Sequence, residues 1–99
     1  MEKIKLRKWD SAEHLETEED MALYLEACME EAGDDAAFIA KALGTIARAK
    51  GMGQLARDTG VGRESLYKSL SESGNPALAT VLKVLQALNL RLHVSVARS

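Results

Sequence analysis

Most hydrophobic positions of this 99-residue chain recur at helical spacing. Apolar residues return every three or four positions in three segments, which is the spacing of one face of an α-helix. The three predicted helices run from about 18 to 32, from 36 to 49 and from 77 to 88. Their predicted core-facing residues are Met21, Leu25, Cys28 and Met29, flanked by Tyr24; then Phe38, Ile39, Ala42, Leu43, Ile46 and Ala47; then Leu78, Val81, Leu82, Leu85 and Leu88.

Residues typical of helix ends bound these segments. Side chains that accept hydrogen bonds from free backbone N–H groups precede the first two helices, namely Thr17 with Asp20, and Asp34 or Asp35. Residues suited to helix C-termini follow the three helices, namely Gly33, Gly51 and Asn89. Gly44 lies inside the second helix, where it costs about 1 kcal/mol relative to Ala. We therefore expect a neighbouring helix to approach closely at Gly44.

Both ends of the chain alternate between apolar and polar residues, which predicts short β-strands. In residues 3–9, Ile4 and Leu6 alternate with charged residues. In residues 90–96, one side carries Leu90, Leu92, Val94 and Val96, and the other carries Arg91, His93 and Ser95. A single strand cannot satisfy its own backbone, so the second strand needs a partner. That partner is either the first strand or the same strand of a second subunit, and Leu92, Val94 and Val96 are the predicted dimerisation residues.

The segment between about Gly53 and Leu70 predicts two short helices separated by a sharp turn. Leu55, Ala56 and Thr59 face inward on the first helix, Val61 fills the turn, and Leu66 with Leu70 anchors the second. Gly60 follows Ala56 by four residues, where reversal of the chain often requires a positive φ. A small residue, a glycine four positions later and an apolar residue ten positions later form the packing pattern of a helix-turn-helix.

The outward residues of this segment carry groups that suit DNA. Arg63 can bind guanine O6 and N7 with two hydrogen bonds, and Glu64 can accept from cytosine N4. Lys68, Arg57 and Gln54 are positioned for phosphates. The complete predicted DNA-binding set is Gln54, Arg57, Arg63, Glu64, Ser65, Tyr67 and Lys68. The alternative is a helical hairpin that does not bind DNA and whose polar residues only keep it soluble.

The net charge of −2 is distributed very unevenly. Residues 1–9 carry +3, residues 10–35 carry eleven acids and no Lys or Arg, and residues 36–99 carry +6. The last segment has the sign that a polyanion requires, whereas the acidic segment repels nucleic acid. Either the acidic surface is simply solvated, or it docks a basic partner through Glu26, Glu30 and Glu31.

Other function classes find little support in the residues. The length suits one domain, no apolar run approaches the roughly 18 residues of a membrane span, and the N-terminus has no apolar signal segment, so a cytoplasmic protein is expected. Cys28 is predicted to be a buried thiol, and with His14 and His93 it forms no metal-ligand spacing. We therefore expect no enzyme activity, no metal and no cofactor. Few aromatic residues are available for stacking on RNA bases.

These residues make the chain resemble a known family. Residues 36–90 resemble the Xre/Cro-like (lambda repressor-like) helix-turn-helix domain of phage repressors. The block KGMGQLARDTGVGRESLYKSLSESGNPALATVLKVLQALNLRL, with the N-terminal KLRKWDSAEHLETEEDMALYLEACMEE, is similar to the addiction-module antidote proteins of toxin–antitoxin operons. Gly53 and Gly62 stand where such domains usually carry Ser or Thr as N-caps, which weakens both helices by a few tenths of a kcal/mol.

The resemblance implies a mainly α fold with three parts. Residues 1–35 would form an N-terminal strand and an acidic helical extension, residues 36–90 the helix-turn-helix bundle, and residues 91–99 a C-terminal strand and tail. It also implies a homodimer that binds a palindromic operator in its own promoter and a cognate toxin, a small basic RelE-like ribonuclease. Two-fold pairing would place two recognition helices about 34–36 Å apart, one turn of DNA. The alternatives are a stand-alone phage-type repressor and a protein-binding helical module without DNA affinity.

Overall fold

The computed structural model describes residues 15–71 and 73–97, and all regular structure within them is helical. The helices are α1 (Glu18–Ala32), α2 (Ala36–Lys50), α3 (Met52–Thr59), α4 (Arg63–Ser69) and α5 (Leu78–Ala87). The mainly α fold class is therefore confirmed. None of these five helices is long and apolar enough to cross a membrane.

The first two helices begin at the side chains that the sequence predicts. Before α1, the Thr17 hydroxyl accepts from the Asp20 backbone N–H at 3.0 Å, and the Asp20 carboxylate accepts from the Thr17 N–H at 3.2 Å. This reciprocal pair is a capping box. Before α2, Asp35 is the N-cap, and its carboxylate accepts from the Phe38 N–H at 3.1 Å. Local hydrogen bonding thus sets both helix starts.

The end of α5 is closed by the predicted left-handed residue. Asn89 has a φ of 62°. Its N–H donates to the Gln86 carbonyl at 3.0 Å, and the Leu90 N–H donates to the Leu85 carbonyl at 2.8 Å. These two bonds form a Schellman motif. Leu90, predicted as the first residue of a strand, instead completes the helix end and packs half-buried against the core.

One hydrophobic core joins all five helices. α1 packs on α2, and α3 contacts α2, α4 and α5. The largest fully buried side chains are Leu43, Ile46, Leu55, Leu66, Leu70, Leu88, Val84 and Cys28. The predicted burial of Cys28 is confirmed. Because α3 touches three other helices, it holds the C-terminal part of the bundle together.

Gly44 is a point of close approach between α2 and the end of α4. A Cβ atom at Gly44 would lie 2.1 Å from the Leu70 carbonyl oxygen, far inside van der Waals contact. The expected close approach is confirmed, although the neighbour is the C-cap of α4 rather than the middle of a helix. Only a residue without a side chain fits at this position.

The burial of α5 and α1 differs in part from the predicted stripes. Leu78 and Leu82 are 66% and 45% exposed, whereas Val84, absent from the predicted stripe, is fully buried. Met29 of α1 is also exposed. The apolar surface of α5 is wider than the area that α3 and its neighbours cover. The spacing of apolar residues therefore predicted the apolar side of α5 correctly, but it did not predict which residues of that side the core buries.

The predicted C-terminal strand is absent from the described residues. Residues 91–97 form neither helix nor strand, and Leu92, Val94 and Val96 are 54%, 89% and 72% exposed. The physical reason is that no neighbouring strand among the described residues offers a hydrogen-bonding edge. The N-terminal strand predicted for residues 3–9 lies outside the described residues.

The contact at Gly44 generates a stability prediction. Gly44→Ala should lower the free energy of unfolding by about 1–3 kcal/mol, because the methyl group forces α2 and the end of α4 apart. Gly53→Ala is the matched control, since a Cβ there meets only the tip of Arg57, at 3.9 Å. The control should raise stability by up to about 1 kcal/mol through helix propensity. Urea unfolding followed by circular dichroism measures both, and equal effects of the two substitutions would contradict the prediction.

Candidate nucleic-acid interface

Three residues, 60–62, join α3 to α4 in a turn with a defined conformation. Gly60 adopts a left-handed φ of 75°, and its N–H donates to the Ala56 carbonyl at 2.9 Å. The Thr59 hydroxyl donates to the Leu55 carbonyl at 2.8 Å and accepts from the Val61 N–H at 3.1 Å. These bonds satisfy backbone groups that the turn would otherwise leave unpaired, so the relative placement of α3 and α4 is specified locally.

The inward residues of this pair of helices are those that the sequence predicts. Leu55 and Leu66 are fully buried, and Leu70 is nearly so. Ala56 and Val61 are half-buried and pack against the core. The pair therefore rests on the bundle by its apolar side, and its polar side faces solvent.

On α4, every predicted contact residue is exposed: Arg63, Glu64, Ser65, Tyr67 and Lys68. At about 100° per residue, Glu64 and Lys68 lie opposite the buried Leu66. Arg63 and Tyr67 lie beside them, one turn apart. The Arg63 guanidinium carbon is 5.8 Å from the centroid of the Tyr67 ring, within the range of a cation–π contact. The ring therefore restricts where the Arg63 side chain can point.

On α3, the exposed polar residues form a hydrogen-bonded chain. The Gln54 side-chain oxygen accepts from Arg57 Nη2 at 3.0 Å, and Gln54 Nε2 donates to Asp58 Oδ1 at 2.9 Å. Gln54 and Arg57 were predicted phosphate ligands, whereas Asp58 was missed. Its signal was the Gln–Asp spacing of four residues on one helix face. Asp58 holds the Gln54 amide, and its charge partly offsets that of Arg57.

The N-termini of α3 and α4 differ from expectation at one position. Gly62 is the N-cap of α4, as predicted, and forms no side-chain cap. The N-cap of α3 is Gly51 rather than Gly53, which lies inside the helix. Gly51 also ends α2. The two helices share this residue because no loop separates them, which the sequence pattern did not reveal.

The predicted acidic docking residues lie on α1, and all are exposed. Glu26 and Glu30 are four residues apart and share one side of the helix with Glu19 and the exposed Leu23. Glu31 lies about 100° further around the helix. The structure therefore separates the predicted trio into a stripe of Glu19, Leu23, Glu26 and Glu30, called here the acidic stripe, and a separate Glu31.

The remaining candidate groups do not converge on a second site. Within residues 15–71 and 73–97, no three His, Cys, Asp or Glu side chains lie close enough together to hold a metal ion. His93 is exposed in the C-terminal tail, and His14 lies outside the described residues.

Comparison with known proteins points to one family. Residues 5–96 match the profile of a family described as "Probable addiction module antidote protein". The chain is also 51% identical over 93 residues to an uncharacterized protein of Haemophilus influenzae strain Rd, a match that covers 94% of each chain. No solved structure matches the chain.

The turn between α3 and α4 generates a second stability prediction. Gly60→Ser should lower the free energy of unfolding by about 1–2 kcal/mol, the cost of a side chain in the left-handed region. Gly62→Ser is the matched control, because Gly62 has a φ of −58° and occupies an N-cap. Serine there should raise stability by a few tenths of a kcal/mol. Thermal unfolding measures both. A Gly60→Ser protein as stable as the parent would show that the turn does not require its left-handed residue.

Proposed function

The chain belongs to the family of addiction-module antidote proteins, and from that premise we propose that it is an antitoxin that binds DNA sequence-specifically. It represses its own toxin–antitoxin operon and neutralises a cognate RelE-like ribonuclease toxin. In this proposal α3, the turn at Gly60 and α4 form an Xre/Cro-like helix-turn-helix, and α4 is the recognition helix.

One observation carries the DNA-binding part of this proposal. α4 presents Arg63, Glu64, Tyr67 and Lys68 to solvent, while Leu66 on its opposite side is fully buried. A helix held from beneath, with side chains that pair with base edges on its free side, suits insertion into a major groove. The left-handed turn at Gly60 sets α3 beside it, where a first helix would cross the DNA backbone.

Each exposed side chain has a separate role in this proposal. Arg63 reads guanine, and the Tyr67 ring beneath its guanidinium reduces the freedom lost on binding. Glu64 accepts from cytosine N4, and Ser65 is small enough to let the backbone approach the bases. Lys68, Arg57 and Gln54 bind phosphates. The Gln54 amide changes partners to do so, because in the free protein it bonds Arg57 and Asp58.

The partner proteins follow from the remaining surfaces. A homodimer places two α4 helices on successive half-sites of a palindromic operator, about 34–36 Å apart. The acidic stripe of α1, which DNA repels, docks the basic toxin, with Leu23 as an apolar contact among the three carboxylates. Glu31 contributes only long-range charge, because it lies on another side of α1.

Two alternatives lead to different observations. A stand-alone phage-type repressor would use the same recognition helix but would have no toxin gene in the adjacent reading frame. A protein-binding helical module would have the acidic stripe and no salt-sensitive DNA affinity. Reading the neighbouring gene separates the first alternative from an antitoxin, and DNA titration separates the second.

The DNA-binding proposal predicts tight binding to the upstream promoter. Fluorescence anisotropy should give nanomolar affinity that falls steeply as salt rises, because phosphate contacts release counterions. Arg63→Ala should weaken binding roughly ten- to a hundred-fold, which corresponds to about 1–3 kcal/mol for one bidentate base contact. Arg57→Ala should instead weaken binding to all sequences alike and reduce the salt slope by about one.

The matched control for this titration is Lys83→Ala, which removes an exposed charge from α5, outside the α3–α4 pair. It should leave promoter affinity and salt slope close to those of the parent. Weak binding that is indifferent to Arg63 would reject DNA readout by α4. The protein-binding module would then be the function to pursue.

The toxin-docking proposal predicts a difference between two neighbouring glutamates. Glu30→Lys should slow association with the protein encoded by the adjacent gene several-fold at low salt, because it reverses a charge in the acidic stripe. Glu31→Lys makes the same change of net charge on another side of α1 and should have a smaller effect. Stopped-flow association rates at several salt concentrations measure both. Equal rates for the two variants would remove the acidic stripe from the docking surface.

A further inference from the structure

Two apolar surfaces remain uncovered in the described chain. Leu78 and Leu82 form one exposed row on α5, since they are four residues apart. Leu92, Val94 and Val96 form a second in the C-terminal tail, where Val94 is among the most exposed large apolar residues. These five residues come from the last quarter of the chain, and exposed apolar residues grouped in this way favour an interaction site.

Within the described residues, the backbone of the tail is also unpaired. No backbone hydrogen bond joins residues 91–97 to another described residue. The side chains nevertheless alternate as in a half-buried strand, with Leu92, Val94 and Val96 on one side. Such a segment is an open template for β-pairing with another strand. What it lacks, among residues 15–71 and 73–97, is an edge to pair with.

We infer that a second copy of this chain supplies that edge, and that the two tails pair as antiparallel strands about a two-fold axis at Val94. This inference rests on the homodimer of the proposed function and specifies its interface. In this register Val94 faces Val94 of the copy and Leu92 faces Val96. On the other side, Arg91 faces Ala97 and His93 faces Ser95, so no two like charges face each other. A register centred on His93 would set two imidazoles opposite each other.

α5 completes the interface. A two-stranded ribbon alone is marginally stable in water and needs a helix or further strands to cover its apolar face. The exposed Leu78 and Leu82 of each copy provide that cover. This also explains why the apolar surface of α5 is wider than the core beneath it requires.

Charge disfavours pairing of the tail with the N-terminal segment of its own chain. Residues 1–9 carry a net charge of +3, and the predicted strand there alternates Ile4 and Leu6 with Lys3, Lys5 and Arg7. The polar side of the tail carries Arg91 and His93. Pairing the two segments would set Arg91 against a row of basic residues with no acid in the tail to offset them, which destabilises a ladder. The same basic tail is a poor surface for a basic toxin.

Disulfide cross-linking tests the register directly. Val94→Cys should give a covalent dimer in high yield on mild oxidation, because facing residues of antiparallel strands have Cα atoms about 4.5–5.5 Å apart, within disulfide range. Leu92→Cys alone should give little dimer, since its two copies would lie about 14 Å apart. A mixture of Leu92→Cys and Val96→Cys chains should give a covalent heterodimer. The parent chain is the control, because its single thiol, Cys28, is buried.

Sedimentation equilibrium tests the interface without a cross-link. Val94→Lys places two ammonium groups opposite each other and should raise the dimer dissociation constant at least tenfold. Ser95→Lys is the matched control, since the new ammonium group faces His93 rather than a second lysine and should change the constant by less than threefold. Both positions are exposed, so circular dichroism should show both variants folded like the parent.

Results other than those expected above would contradict the proposed pairing of the two tails. A Val94→Lys chain that dimerises like the parent places the interface elsewhere, and equal cross-linking at 92 and 94 means unspecific collisions of the tails. If the protein is a monomer and its Val94 amide is protected from hydrogen exchange, the tail pairs with a segment of its own chain. If the Val94 amide becomes protected only when the toxin is added, the tail pairs with the toxin. None of these readouts involves DNA, so a cross-linked Val94→Cys dimer that ignores promoter DNA would reject DNA binding while leaving the interface intact.

Discussion

The rest of this structure depends on packing two helices that are too short to persist alone. α3 has eight residues and α4 has seven, below the roughly 12–15 at which isolated helices become even marginal in water. Burial of Leu55 and Leu66 against the bundle supplies their stability. That burial requires the end of α4 to lie against α2, and the backbone contact at Gly44 permits it. The exposed face of α4 is therefore presented by the bundle as a whole, rather than by the propensity of the helix itself.

The same constraint separates the charges of the molecule. Because α4 is held from one side only, its basic and hydrogen-bonding residues stay in solvent, where the Tyr67 ring lies beside the Arg63 guanidinium. On the exposed side of α3, Gln54 bridges Arg57 and Asp58. Six acids lie on α1, and that helix packs on α2. A nucleic acid and a basic protein can therefore be attracted to different parts of one small chain. The acidic stripe need not be displaced for α4 to approach a phosphate backbone.

The features that sequence reasoning predicted correctly are those set by nearby residues. The capping box at Thr17, the N-cap at Asp35, the left-handed Gly60 and the helix end at Asn89 each depend on hydrogen bonds within a few positions. Most of the features it missed depend on partners distant along the chain. Periodicity could not tell which part of the apolar surface of α5 the core would bury, so Val84 was missed and Leu78 misplaced. Alternation at the C-terminus correctly marked an apolar side but could not supply the neighbour that a strand requires. Asp58 was missed because the sequence alone does not distinguish an aspartate that pairs with a neighbouring side chain from one that is simply solvated.

One contact limits how strongly the surfaces of this chain can influence each other. Asn89, at the end of α5, donates to the Glu18 carboxylate at 3.0 Å, which links the first turn of α1 to the segment that leads into the tail. A hydrogen bond to a charged group contributes about 1.5–3 kcal/mol at best, and less where solvent competes, as it does at this exposed pair. Under the proposed toxin docking and tail pairing, loss of the whole bond on toxin binding would shift the dimerisation equilibrium of the tail by roughly ten- to a hundred-fold at most, since every 1.4 kcal/mol is tenfold. Thermodynamic reciprocity requires that dimerisation change toxin affinity by the same factor. A larger coupling would have to pass through the core that α1 shares with the other helices, where close packing resists small displacements.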